Sequence, residues 1–435
     1  MILRIKRRIL LIRLALSFVL DYRKIQRLNK RLSGGELERE VNRICAKAGR
    51  RMRNTAFQMK GIIVKVGQFL SMRKDVLPKA FIQELADLQD ALPAEPFQNI
   101  KPFIEKELKK GIDEVFQEFD EIAVAAASLA QVHRAVLKDG TEVAVKILRP
   151  RIEELAQADL DTLGLLAKVT QRFPSLGRKM NFVLLHKEFT ETIQRELNGI
   201  SESEHMQRFA GMFSDNPQIV IPKVFDRYTS RRMLVMEYIN GARITDRELL
   251  LKWGIDGQTV ARALLDAYLK QLLIYGFIHV DPHPGNLLIL PGNRICFLDF
   301  GMVDELTMEE VHTLRSLLKN ILFQNIEGIL SAFERLGFLA PGADVSHLEP
   351  IIHHVLDRLA GKVEAGEVPE LSNVVGGLQS FLHDQSIQLQ AKYMFLIRGT
   401  GILITTLAIC APHTDWMGLL FDVMPSVMSE PVQAG

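Results

Sequence analysis

The first thirty residues set basic positions (Arg4, Lys6, Arg7, Arg8, Arg13) into an apolar series, Ile9, Leu10, Leu11, Leu14, Leu16, Phe18, Val19 and Leu20. That mixture is the pattern of a basic amphipathic helix. Ser33-Gly34-Gly35-Glu36 breaks it, and Ser33 with Glu36 three residues on has capping-box spacing, which predicts a helix start. Helical periodicity runs over residues 36–74 and ends at Pro78. It returns over 81–92 and 97–109, each stretch preceded by proline. Residues 33–112 therefore read as an all-helical unit.

The period then shortens. Residues 142–148 (EVAVKIL) are β-rich, Asp139-Gly140 before them signals a hairpin turn, and 131–137 (QVHRAVL) form the other arm. Residues 115–124 supply a preceding strand. A helical stretch over 184–212 follows, then strands near 220–225 and 232–237. After Ile239-Asn240-Gly241 the pattern is helical, except over 276–300, where short apolar strands flank HVDPHPGN. Residues 399–411 (GTGILITTLAICA) are uncharged but closed by Arg398 and by Pro412-His413, which predicts a buried helix. The run falls short of the roughly 20 residues a bilayer span needs. No internal repeat, low-complexity tract or transmembrane segment is read.

Composition narrows the class. A chain of 435 residues with 47% hydrophobic and 24% charged positions suits two lobes or two to three globular domains. Disorder and a disulfide scaffold are both disfavoured. Cys45, Cys296 and Cys410 lie far apart without a CxxC, so three buried thiols in a reducing compartment are expected and a zinc site is not. Residues 1–31 hold ten Lys/Arg against Asp21 alone, a local charge of +9 inside a chain of net +2. This asymmetry marks an attachment segment, not a nucleic-acid binder. No cleavage site for a signal peptide follows. The segment reads either as a helix on anionic lipid or as a helix packed on the protein's own body.

Candidate chemistry is densest at His279-Val280-Asp281-Pro282-His283-Pro284-Gly285-Asn286, followed by Asp299-Phe300-Gly301. Kinase-type phosphoryl transfer needs an Asp near the attacking group, an Asn on the metal four intervening residues later, and an Asp-Phe-Gly whose Asp holds Mg²⁺. Asp281, Asn286 and Asp299 have that spacing. Carboxylate and amide ligands suit magnesium, which leaves His279 and His283 structural hydrogen-bonding roles. Lys146 in VAVK matches the strand lysine that takes the α/β-phosphates, and it needs a carboxylate from the helix carrying Glu188, Glu191, Glu196, Glu202 and Glu204. Where a kinase carries a glycine-rich loop, this chain has Ala125-Ala126-Ala127-Ser128, whose methyl groups bar close backbone approach to phosphate.

Strands with one long helix, then a mostly helical lobe, form the plan of a protein kinase. The expected fold is α+β, a bilobal protein-kinase-like fold with an N-terminal helical extension. Its parts are a basic amphipathic segment (1–32), the extension (33–112), an N-lobe (113–240) and a helical C-lobe (241–435).

From about residue 50 onward the chain resembles the UbiB/AarF (ABC1-type) family of atypical kinases. The resemblance rests on KVGQFLSMRKDVLP, AAASLAQVHRA, VAVK, HVDPHPGN and LDFG, in that order. It implies that Lys65, Gly67 and Gln68 lie on a helix across the active site, where they block protein phosphorylation and regulate the site. It implies an alanine-rich loop that tunes nucleotide selectivity, and a Lys146 partner for which Glu202 fits best. Glu237 is expected to contact the nucleotide. The family's Glu-x-Asp reads here Glu196-Leu197-Asn198, so the helix lacks the second carboxylate.

The resemblance further implies ATP and Mg²⁺ as cofactors, and ATPase or small-molecule/lipid kinase activity in isoprenoid quinone (ubiquinone-type) or related lipid metabolism. The expected partners are the nucleotide, a lipid or isoprenoid, an anionic membrane surface and a lipid-biosynthesis complex, without nucleic acid. The expected location is cytoplasmic and peripheral on the inner face of a membrane. A nucleotide-binding pseudokinase scaffold and a protein kinase are the alternatives.

Overall fold

The computed structural model describes residues 2–71, 77–85, 88, 93–170, 182–339, 345, 348–350, 352–353, 356, 391–412, 414 and 416–433. The end of the helix expected over 36–74 and most of the second half of that over 81–92 lie outside them. The chain forms two compact units, Met1–Ser203 with Val224–Tyr238 and Glu204–Lys223 with Ile239–Gly435.

The first unit begins with α1 (Ile2–Leu28), α2 (Gly34–Met59), α3 (Ile62–Ser71) and the short α4 (Lys79–Gln83). Helical periodicity buries one face of α2, through Cys45, Ala48, Met52, Ala56 and Met59. Leu11 and Leu14 of α1 join the same core, so α1 packs on the protein's own body along that face. Arg7 fixes the packing. It is 6% exposed, and its Nε donates to Asp159 Oδ1 at 2.9 Å while Nη2 meets Oδ2. The opposite face of the helix is open: Ile5, Ile9, Leu16 and Leu20 are all at least half exposed.

Two expectations for this region need correction. The single helix over 36–74 is two, because Lys60 (φ 53°) and Gly61 (φ 62°) take left-handed conformations between α2 and α3. Ser33 precedes α2, yet its hydroxyl makes no capping bond. Gly34 follows at φ 61°, outside the right-handed region a first helical position requires, and the capping geometry is lost.

After α5 (Phe97–Leu108) and α6 (Ile112–Val115), the strand expected over 115–124 is the shorter β1 (Phe116–Phe119), and a second short strand, β2 (Ala125–Ala126), follows just beyond that range. Both pair with β3 (Ala130–Leu137), which pairs with β4 (Glu142–Leu148). The strand expected over 220–225 divides between units. β5 (Ile219–Val220) belongs to the second, and Val224 makes an isolated bridge to Met236 in the first. Pro222 stands between them without an N–H to donate. β6 (Met233–Glu237) completes an antiparallel sheet of order β1-β3-β4-β6. Alternation sends Val143, Val145 and Ile147 of β4 into a core shared with Ile100 and Ile104 of α5. Lys146 is thereby left on the opposite face.

The sequence reading passes over α7 (Ile152–Thr170), which supplies Asp159. The long helix expected over 184–212 is broken into α8 (Phe182–Glu196) and α9 (Gly199–Met212). The chain leaves the helix to lie against a turn: Gly199 N–H donates to Arg231 O at 2.8 Å, and a Cβ there would come within 2.8 Å of Ser230 O.

In the second unit, β9 (Leu287–Leu290) and β10 (Arg294–Phe297) form a hairpin within a sheet of order β5-β10-β9-β7, where β7 is Ala242–Arg243. β8 (Phe277–His279) pairs separately with β11 (Val303–Glu305). The helices α10 (Arg247–Lys252), α11 (Gly257–Lys270), α12 (Met308–Leu322), α13 (Ile326–Arg335), α14 (Ala391–Cys410) and α15 (Trp416–Ser429) surround them. Local sequence explains their starts. Asp256 accepts from Gln258 and Thr259 N–H at α11, and Thr307 with Glu310 forms a capping box at α12. Among the described residues, no helix is long and apolar enough to cross a membrane.

Burial raises the Asp159 carboxyl above the usual carboxylate range even with Arg7 beside it. Removing the guanidinium strands a buried charge. Arg7→Ala is expected to cost about 3 kcal/mol in urea unfolding, while Arg7→Met with Asp159→Leu should recover most of it. Equal losses in the single and double variants would contradict this account.

Candidate functional site

The residues singled out from sequence divide between the two units, and each set is built within its own. In the first, Lys146 sits mid-strand, opposite Val132 of β3 and Leu234 of β6. Its ammonium lies 2.7 Å from Glu202 Oε1 and 2.9 Å from Oε2. Glu202 occupies the first turn of α9 and is 5% exposed, so the expected partner is the observed one. A carboxylate that buried is held by the positive end of its own helix and by the lysine.

Lys65 of α3 meets Glu196 at the end of α8, with Nζ 3.0 Å from Oε1 and 2.9 Å from Oε2. Gln68 donates through Nε2 to Leu88 O at 2.6 Å. Gly67 faces Leu88 as well, and a Cβ there would fall 2.3 Å from the Leu88 Cδ1. Asn198 stands in the break between α8 and α9, where its carbonyl accepts from Glu202 N–H at 3.1 Å. Glu237 ends β6 in register with Val143 and is exposed.

The alanine-rich loop is a tight turn between β2 and β3. Ala127 N–H donates to Ala130 O at 2.8 Å, with Ala125 and Ala127 exposed and Ser128 buried. At its base, Gln131 Nε2 donates to His133 Nε2 at 2.9 Å. His133 is therefore the neutral tautomer that donates from Nδ1 to Asp120 O at 2.8 Å.

In the second unit, the β9–β10 hairpin brings two motifs together. Phe297 pairs with Leu287, and Leu298 N–H donates to Asn286 O at 2.8 Å, so Asn286 and Asp299 flank the open end of one hairpin. Asn286 Nδ2 donates to Asp281 O at 3.0 Å, which ties the third residue in and turns the amide oxygen the other way. Asp299 is a non-glycine residue at φ 55°, a conformation that costs of order 1 kcal/mol. Its surroundings hold it there. His279 Nε2 donates to Asp299 O at 2.8 Å, and Gly301 N–H donates to Asp299 Oδ1 at 3.2 Å. With Nε2 protonated, His279 Nδ1 accepts from Tyr268 OH at 3.3 Å. Burial, and then the charge of Asp281, raise the Tyr268 phenol well above its ordinary range and keep it a donor.

This donor set fits Mg²⁺. The Asp299 carboxylate and the Asn286 amide oxygen are hard donors of the kind that would hold magnesium together with phosphate oxygens and water. Both ring nitrogens of His279 are engaged, His283 Nδ1 accepts from Gly285 N–H, and no group of three or more His, Cys, Asp or Glu forms a metal cluster among the described residues.

Three supporting residues were missed in sequence. Gln271 Oε1 accepts from His279 N–H at 3.0 Å, in the π-helical turn Gln271–Tyr275 that extends α11. Thr406 of α14 donates to Pro282 O at 2.9 Å. Gly399 lets the same helix approach Val280, where a Cβ would come within 2.9 Å of the carbonyl. The glycines and threonines inside the otherwise apolar 399–411 run were the available signal.

Comparison with known proteins now settles the family. The profile of the ABC1 atypical kinase-like domain matches residues 87–333. The chain belongs to the ABC1 atypical kinase-like family. Family relatives include an uncharacterised protein of Synechocystis sp., 31% identical over 372 residues, covering 85% of this chain and 63% of that one. The chloroplastic protein Activity of BC1 Complex Kinase 1 of Arabidopsis thaliana is 33% identical over 364 residues, covering 83% of this chain and 52% of its own. The chain thus spans about half to three-fifths of the length of these curated relatives. A Mycobacterium tuberculosis protein solved with erythromycin shares the fold, with TM-score 0.56 and 24% identity over 92% of this chain and 100% of that one. Membership in the ABC1 family is consistent with kinase or ATPase chemistry, and a kinase-like fold implies ATP binding.

Burial depresses the His133 pKa, and the backbone contact with Asp120 only partly offsets this. A proton therefore binds the unfolded chain more readily. The stability due to neutral His133 is complete above about pH 6.5 and is lost as pH falls through the lowered folded value. His133→Asn should flatten the pH dependence of the unfolding midpoint between about pH 7 and 5; superimposable profiles would exclude this role.

Proposed function

We propose that this chain is a Mg-ATP-dependent phosphoryl-transfer enzyme, an ATPase or a small-molecule or lipid kinase, acting in isoprenoid quinone-type or related lipid metabolism at an anionic membrane surface. The observation that carries the reading is Lys146 clamped by both oxygens of buried Glu202. A fold that had lost phosphate chemistry has no need of so costly a pair.

In this reading Lys146 takes the α/β-phosphates, Asn286 and Asp299 hold Mg²⁺, and Asp281 accepts the proton of the attacking hydroxyl or water. Bound magnesium would neutralise charge that develops on the phosphates. His279 keeps the Asp299 carbonyl in place, and Tyr268 keeps His279 in the required tautomer. In this reading α3, held by the Lys65–Glu196 pair, plays a regulatory role and disfavours protein substrates.

The membrane half of the reading rests on α1. Ile5, Ile9, Leu16 and Leu20 recur at spacings that confine them to about a sixth of the helix circumference. Lys6, Arg8, Arg13, Arg23, Lys24 and Arg27 are exposed on the same helix, whereas Asp21 is paired to Arg51. Each basic residue near an anionic surface contributes roughly 1 kcal/mol at low salt.

Phosphate release from ATP should require Mg²⁺ and fall at least about a hundredfold in Asp299→Asn. A wild type that binds nucleotide but matches Asp299→Asn would exclude the enzyme. Ile9→Asp with Leu16→Asp should abolish co-sedimentation with phosphatidylglycerol vesicles and leave the unfolding midpoint intact; retained binding would refute the membrane face.

A further inference from the structure

Arg149 directly follows the Lys146 strand and is 6% exposed. Its fork reaches three acceptors: Nε donates to Ala127 O at 2.9 Å, Nη2 to Pro93 O at 3.0 Å, and Nη1 to Glu95 Oε1 at 3.3 Å. Its own N–H donates to Leu129 O at 2.8 Å. One side chain therefore grips the alanine-rich loop and residues 93–95 of the helical extension.

Gln131, 1% exposed, closes the same clamp from the other strand. Its Oε1 accepts from Glu95 N–H at 2.8 Å and its Nε2 donates to Glu95 O at 3.2 Å, so the carboxamide pairs with residue 95 as a strand neighbour would. Inside the loop the Ser128 hydroxyl is buried and makes no hydrogen bond, a donor with no partner among the described residues. Upstream, the extension's α3 is tied to Leu88 through Gln68.

A glycine-rich loop adapts to its phosphates by flexing. Here the methyl groups and the Arg149 fork leave little freedom, and the shape of the loop is set by where residues 93–95 lie. A lysine cannot replace the fork, because one ammonium has neither the span nor the planar geometry to satisfy three separated oxygens. We infer that Arg149 is a positioning residue through which the helical extension sets the conformation of the alanine-rich loop and hence its affinity for nucleotide. The nucleotide part of this inference rests on the Mg-ATP reading above; the coupling between segment and loop does not.

The test uses the full chain, as wild type, Arg149→Lys and Glu95→Ala. Hydrogen exchange at residues 125–130 should accelerate about tenfold or more in both variants, with β4 amides unchanged. The dissociation constant for Mg-ATP, read by displacement of a fluorescent ATP analogue, should rise about tenfold, the weight of one charge-assisted hydrogen bond. Glu95→Ala, at a half-exposed position, should keep the wild-type thermal midpoint. Unchanged exchange at 125–130 overturns the coupling. A lowered midpoint with an unchanged dissociation constant shows a merely structural residue and overturns it too. A wild type that binds no nucleotide, with loop exchange still accelerated in the variants, supports the coupling and overturns the Mg-ATP reading.

Discussion

The ammonium of Lys146 and the carboxylate of Glu202 are both largely shut off from water, and neither is tolerable there without the other. Several kcal/mol of desolvation per ion is recovered only if a carboxylate sits at hydrogen-bond distance from the strand. That requirement explains much of the first unit. The first turn of α9 must lie against β4, so the chain cannot run straight out of α8. It breaks at Leu197-Asn198 and restarts at a glycine small enough to touch the Ser230 carbonyl. Just before the break, Glu196 receives Lys65, a second lysine–glutamate pair on the helical extension.

The second unit solves a different problem, which is to keep a carboxylate in a backbone conformation it disfavours. Asp299 stands in the left-handed region, and the return on that strain is a carboxylate presented beside Asn286. The support runs outward from His279 to Tyr268 and Gln271 of the helix behind. On the other side α14 braces the loop carbonyls of Val280 and Pro282 through Gly399 and Thr406. An apolar helix far along the chain is thus part of the scaffold of the HVDPHPGN loop.

Phosphoryl transfer needs fixed spacings, and these were legible: Asp281 to Asn286, the Asp-Phe-Gly after them, and Lys146 at the fifth position of β4. The two-residue period of β4 was legible for the same reason, since a slip by one would bury the ammonium. The helix breaks were not. Lys60 takes a positive φ to which only the neighbouring Gly61 points, and the need for Gly199 arises from a turn thirty residues later. Ser33 shows the converse, a correct local signal overridden by the glycine beside it. The Arg149 clamp was invisible because two of its three acceptors, Pro93 and Glu95, are more than fifty residues away and two of the three bonds go to backbone carbonyls, which carry no sequence signature.

The division of the 220–225 stretch by Pro222 bears on how the chain is made. The first unit owns residues 224–238, and the second owns the twenty residues just before them. During synthesis the first sheet therefore lacks β6 until well over two hundred residues have emerged, and the edge of β4 stays open throughout. An unpaired strand of Val143, Ala144, Val145 and Ile147 is an aggregation template while it waits. The Lys146 charge midway along that edge opposes foreign pairing. The residue proposed to serve the phosphates in the finished protein would then also guard the nascent one.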